Sequence, residues 1–264
     1  MSLVMTIFMV VPILAPGIGQ IVLFVAPWEG IFVVLALFGI IMLVWTWMRL
    51  PETLPEAARQ PLSVRHAASA YGQIIKSRVT FGYMCASGVI FGALFSFIAS
   101  SEQIFREVFS QKETFALWFA GVAGTLACAN FLNSRIVEKI GMRRISHTAL
   151  LVFTTVSAIL AVVTHFTTDN LYVFFPIFAL CFGCFGLMGS NFSALAMEPL
   201  GKIAGTAAAA YGFATTTVAS LIGMAIASQY NGTTVPLMLG FVCLGVASLA
   251  IILITEKGKL FSSR

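Results

Sequence analysis

Charged side chains are missing from long stretches of this chain, and that absence constrains the fold more than any motif. Residues 1 to 28 contain no Asp, Glu, Lys or Arg. Glu29 and Arg49 bracket a second apolar run. Further uncharged runs extend from Val79 to Ser101, Thr114 to Ser134, Ile145 to Thr168, Asn170 to Met197 and Ile203 to Thr255. A helix of about 20 residues crosses a hydrocarbon layer about 30 Å thick, so each run is near or above the length of one span. The last run is long enough for two. Gln229, Tyr230, Asn231, Gly232 and Pro236 supply a turn that divides it into spans at about 203–228 and 234–255. The expectation is an all-α integral membrane protein with eight transmembrane helices.

Composition agrees with that reading. Of 264 residues, 59% are hydrophobic and 9% charged, against about a quarter charged in soluble domains. A transmembrane barrel would alternate apolar and polar residues in pieces of about ten, whereas these runs are continuously apolar. Residues 1–28 do not read as a secretory signal, because no basic segment precedes them and Pro12 and Pro16 interrupt them. The net charge of +5 comes from short basic clusters between the runs. That distribution argues against nucleic acid as a partner and for a lipid bilayer.

Cys85, Cys128, Cys181, Cys184 and Cys243 all fall inside expected spans, which argues against disulfides. Cys181 and Cys184 have the C-x-x-C spacing of redox and zinc sites but lack a second ligand pair. Ordinary helix packing is the expected role for both.

Basic residues collect on the cytoplasmic side of a membrane protein. With residue 1 inside, the outer gaps hold only Arg106 and Lys112 of the fifteen Lys and Arg residues. The chain is therefore expected to be multi-pass with both termini in the cytoplasm. Residues 50–78 hold Pro51, Pro55 and Pro61 and then a helix-compatible stretch from Ser63 to Lys76. They read as a cytoplasmic linker between two helices (1–49) and six (79–264). The outer gap from Ser100 to Glu113 carries Ile104, Phe105, Val108 and Phe109, the pattern of a short interfacial helix.

Pro12, Pro16, Gly17 and Gly19 sit close together in the first span. Such residues loosen backbone hydrogen bonding and are tolerated in a membrane where helices pack closely or water reaches the backbone. The stretch Val11–Gly19 resembles the antiporter motif in the fifth helix of drug:proton antiporters of the major facilitator superfamily, of the bicyclomycin-resistance (Bcr/CflA) type. That motif ends in a glycine pair, and Gln20 stands at its second place here.

Other stretches resemble the same family in order. Trp28–Phe32 and Leu50–Pro55 are similar to its sixth helix and exit. Asn133–Arg135 with Gly141–Arg144 is similar to its basic loop between helices eight and nine. Asn191–Ala196, Ala204–Ala207 and Tyr211–Phe213 are similar to helices ten and eleven. The resemblance implies a partial major facilitator fold: helices five and six of an amino-terminal bundle, then a complete six-helix carboxy-terminal bundle. It also implies an inner-membrane exporter of drugs or other small xenobiotics, with protons as the coupling ion and the first four helices absent from this chain.

Proton coupling needs a carboxylate or histidine that changes protonation inside the membrane. All ten acidic residues lie at span ends or in gaps, and His66, His147 and His165 also read as loop or interfacial positions. The resemblance places the coupling acid and its arginine in the amino-terminal helices. Proton-coupled export by these 264 residues alone is therefore not expected, and a partner supplying the missing helices is an alternative to a carrier acting by itself. A non-transporting interaction protein and a decayed transporter fragment also remain open.

Multidrug cavities are apolar and aromatic with a few adaptable polar groups. Tyr83, Phe91 and Phe95 share a helical face, and Asn130, Asn191 and Tyr211 are polar groups deep in later spans. All six are cavity candidates, with interhelical packing or hydrogen bonding the competing role. Gly88 and Gly92 have the spacing that lets helices approach closely, expected to serve packing inside the bundle. Arg135, Arg143 and Arg144 are either a cytoplasmic gating loop, as the resemblance implies, or simple positive-inside anchors. No catalytic motif, phosphate loop, cofactor fingerprint or metal-ligand set stands out, so neither an enzyme nor a cofactor is expected.

Overall fold

The structure is a computed structural model that describes residues 17–19, 21–51, 64–166 and 170–261. In chain order its helices are α1 Glu29–Arg49, α2 Val64–Lys76, α3 Arg78–Gln103, α4 Phe115–Ile140, α5 Met142–Phe166, α6 Leu171–Met197, α7 Ala204–Ala227 and α8 Val235–Thr255. All but α2 are long and apolar enough to cross a membrane, which gives the seven expected spans after the first. Most of that first span, with Pro12 and Pro16, lies outside the described residues. Residues 17–19 and 21–25 are helical, and among the described residues nothing lies within 4 Å of where a Cβ on Gly17 or Gly19 would sit.

The chain divides into two compact units, 1–66 and 67–264. In the first, α1 buries none of its residues and presents Phe32, Leu37, Phe38 and Ile40 around its circumference. A helix apolar on every side suits hydrocarbon or helix neighbours and not water.

In the second unit α3 packs most extensively on α7, α6 lies against α4 and α5, and α8 lies against α3 and α5. Lipid is as apolar as leucine, so close packing and interhelical hydrogen bonds must hold such helices together. The α3–α7 crossing is close because glycine supplies its surface. A Cβ on Gly92 would sit 2.7 Å from Ile222 Cγ2, and one on Gly223 would sit 2.8 Å from the Ser96 backbone nitrogen. Gly88 likewise faces Val218, so the Gly88–Gly92 pair serves packing within the bundle. The core is a ladder of phenylalanine rings, Phe97, Phe178, Phe182 and Phe241 among them, with neighbouring centroids about 5–6 Å apart.

Two expected gaps are largely helical. Ile104–Val108 continues α3 as a π-helical turn and buries Ile104 and Phe105, with Phe109 buried just beyond. These residues therefore pack into the core instead of forming an interfacial helix. The basic loop expected between residues 135 and 144 shrinks to Gly141, whose φ of 91° sits between the end of α4 and the start of α5. Charges alone do not terminate a helix, and no breaker precedes Gly141 after Ser134. At about 1.5 Å per residue, the 26-residue α4 is roughly 39 Å long, so its ends extend beyond the hydrocarbon layer.

Candidate functional site

One end of the bundle gathers the starts of α3, α5 and α7 and the ends of α4, α6 and α8. Gly141 sets its geometry, because immediate re-entry into helix places Arg143 one residue and His147 more than a turn inside α5. Positions 143 and 147 then share a face, turned toward Tyr83 on α3 and Glu256 just beyond α8.

Arg143 joins three helices there. Its Nε donates to Glu256 Oε1 at 3.0 Å and its Nη2 reaches Glu198 Oε2 at 3.4 Å. The Arg143 and Glu256 side chains are only 12% and 13% exposed, against 50% for Glu198. The Glu256 contact is therefore the strong one, and the Glu198 contact is a screened surface pair.

Tyr83 and His147 complete the network, both fully buried. The Tyr83 hydroxyl donates to Glu256 Oε1 at 2.7 Å and lies 3.0 Å from His147 Nε2, while His147 Nδ1 accepts the Phe261 N–H at 3.3 Å. With Nδ1 accepting, the neutral imidazole carries its proton on Nε2 and donates to the tyrosine oxygen. The chain of donors then runs from His147 through Tyr83 to Glu256. Burial alone would raise the Glu256 pKa. The hydrogen bonds from Tyr83 and Arg143, with the guanidinium charge beside them, outweigh burial and hold the carboxyl below its ordinary value.

A second polar contact lies deeper. Asn191 Nδ2 donates to Asn133 Oδ1 at 2.8 Å and to the Leu187 carbonyl at 2.7 Å, and Asn133 Nδ2 donates to Ser190 Oγ at 3.0 Å. This clamp ties α4 to α6. On the other side of the bundle, the Tyr211 hydroxyl lies 2.6 Å from Ser87 Oγ and ties α7 to α3.

A family model described as Major Facilitator Superfamily matches residues 1–224. The chain belongs to the major facilitator superfamily. It is 27% identical over 259 residues to a bicyclomycin resistance protein homolog of Haemophilus influenzae, covering 97% of this chain and 65% of that protein. It is 27% identical to the uncharacterized MFS-type transporter YdgK of Bacillus subtilis, covering 97% and 64%. Against the multidrug resistance protein MdtL of Shigella dysenteriae it is 25% identical, covering 81% and 53%. The chain thus spans less than two thirds of the length of these relatives. The match to the superfamily and the seven apolar helices make it a multi-pass membrane protein.

The candidates named from sequence scatter across this major facilitator bundle. Tyr83 is enclosed in the charge network and Asn191 is committed to the α4–α6 clamp. Phe91, Phe95, Asn130 and Tyr211 are half-buried. Phe91 leans on Phe185 and Gly189, and Phe95 lies on the α3–α7 crossing. Arg135 stacks over Phe131 on an exposed face of α4, with 5.1 Å from guanidinium carbon to ring centroid. Arg144 is exposed. Of the three arginines, Arg143 alone engages carboxylates among the described residues.

His147 and Glu256 were legible only as positions near span ends, and His147 proves to be buried inside α5 instead of interfacial. The i, i+4 spacing of Arg143 and His147 was the one local signal. Asn133 pairs with a residue 58 positions away, and nothing local announces that partnership.

Proposed function

We propose that this chain is the carboxy-terminal bundle, with the last two amino-terminal helices, of an exporter of drugs or other small xenobiotics, and that the Arg143 network is its cytoplasmic latch. The observation that carries this reading is a single arginine, shielded from water, binding carboxylates at the ends of two other helices. Such a contact fixes helix ends in one conformation and is lost as a unit when they separate. Relatives named for bicyclomycin and multidrug resistance support the substrate class.

Residues 1–49 would form the last two helices of an amino-terminal bundle, 50–78 a cytoplasmic linker and 79–264 the six-helix bundle. Both termini and the basic end would face the cytoplasm of an inner membrane. Phe91, Phe95, Asn130 and Tyr211 would line the drug path, with Tyr83 and Asn191 framing it from behind, and Pro12, Pro16, Gly17 and Gly19 would shape the antiporter motif. Arg135 and Arg144 would anchor the cytoplasmic face beside the latch. Every acidic residue in the described spans lies within about a turn of a helix end, so binding by this chain and proton coupling by other helices is the expected division of labour.

The test compares binding with export. Purified chain in nanodiscs should bind bicyclomycin or ethidium, and Phe91→Ala with Tyr211→Phe should weaken binding severalfold. Cells making only these residues should show no uncoupler-sensitive export. Export by the chain alone would overturn the division of labour, and absence of binding to any drug in a broad panel would overturn the substrate class.

A further inference from the structure

Between α4 and α5, with α6 as its floor, runs an open groove of about 600 Å³. Leu132 and Ile140 from α4, Val152 from α5 and Leu180 from α6 line it, and all four are exposed. Gly183 lies on the floor, where a Cβ would meet Thr125 of α4 at 3.5 Å. Helices α4 and α5 touch each other little, since both lean on α6, and the groove is the seam left between them.

Two features identify its occupant. Along α4 the groove extends from Ala129 to Ile140, a rise of roughly 16 Å, which matches half of a hydrocarbon core about 30 Å thick. It is apolar throughout except for Thr148 and, at the basic end, Arg144. Arg144 is exposed, and no ion pair holds it among the described residues, while the neighbouring Arg143, on another face of the helix, binds Glu256 and Glu198. Phe261 closes that end of the groove. One leaflet of apolar length ending in one cation fits an acyl chain below an anionic headgroup, and basic pockets between membrane helices bind such headgroups.

We propose that this groove seats an acyl chain of an anionic phospholipid whose phosphate rests on Arg144. The lipid fills the α4–α5 seam and ties together two helices that otherwise touch each other little. The proposal stands independently of which solute the chain carries.

Native mass spectrometry of the purified full chain, with phosphatidylglycerol or phosphatidylcholine added, tests it. One basic residue near an anionic lipid surface corresponds to about a fivefold preference, so phosphatidylglycerol should be retained about fivefold better. Arg144→Gln should abolish the preference, Val152→Trp should reduce retention of both lipids by filling the groove, and Arg135→Gln, outside the groove, should leave the preference intact. Inorganic phosphate should not displace the lipid. An unchanged preference in Arg144→Gln, an equal loss in Arg135→Gln, unaltered retention in Val152→Trp, or displacement by inorganic phosphate would each overturn the site.

Discussion

At the basic end, the helices of the 67–264 unit are joined by directional bonds, whereas the opposite half is filled by rings. Arg143, Glu256, Tyr83 and His147 form one network in which each member fixes the next. Toward the other end, Phe97, Phe105, Phe174, Phe178, Phe182 and Phe241 touch in mixed stacked and edge-on pairs. Ring pairs are favourable in both offset-stacked and edge-on arrangements, while a charge-assisted bond needs one short donor–acceptor distance. On the proposed reading, the aromatic half would serve as a pivot and the basic end as a latch.

The largest effect should come from breaking the pivot. Phe178→Ala removes a fully buried ring touching Phe97, Phe174, Phe182 and Phe241, and should cost about 3 kcal/mol of stability, read by denaturation in detergent. Breaking the latch should cost somewhat less. Glu256→Ala leaves Arg143 without its main partner and should lose roughly 2 kcal/mol, since the pair is shielded but not fully buried. Adding Arg143→Ala to it should cost little more, because both changes remove one interaction.

Smaller effects sharpen the contrast. Asn191→Leu should cost about 1 kcal/mol, the scale of an interhelical hydrogen bond in a membrane, and should loosen α4 from α6 in a cross-linking assay while leaving the aromatic half unchanged. The smallest effect is that of pH. The Glu256 carboxyl is held below its ordinary range, so its contribution is fully present above the unfolded value of about 4.3. That contribution is lost as pH falls through the lower folded value. The melting temperature should drop on acidification through that window, and Glu256→Gln should flatten the drop.

The span pattern was legible because a membrane helix must be apolar along its whole length, and charge-free runs report this directly. The ends were less legible. The α4–α5 turn reduces to Gly141 because long basic side chains near a helix end reach the interface without ending the helix, so α4 continues past Arg135 and Lys139. The π-helical turn after Gln103 hides because its apolar residues suit an interface as well as a core. At the site, Arg143 could be singled out by its cluster, but its choice of Glu256 over nearer carboxylates depends on how α5 meets α8, 113 residues away. Tyr83 and Asn191 stood out as polar groups in apolar runs, and what they bond to is a matter of packing between helices distant in sequence.

Amide hydrogen exchange in the purified chain, comparing wild type with Arg143→Gln, tests the latch and pivot most directly. Protection should fall at residues 143–150 and 250–258 and remain unchanged across 174–182. An equal loss at both ends, or no loss at the basic end, would contradict the account.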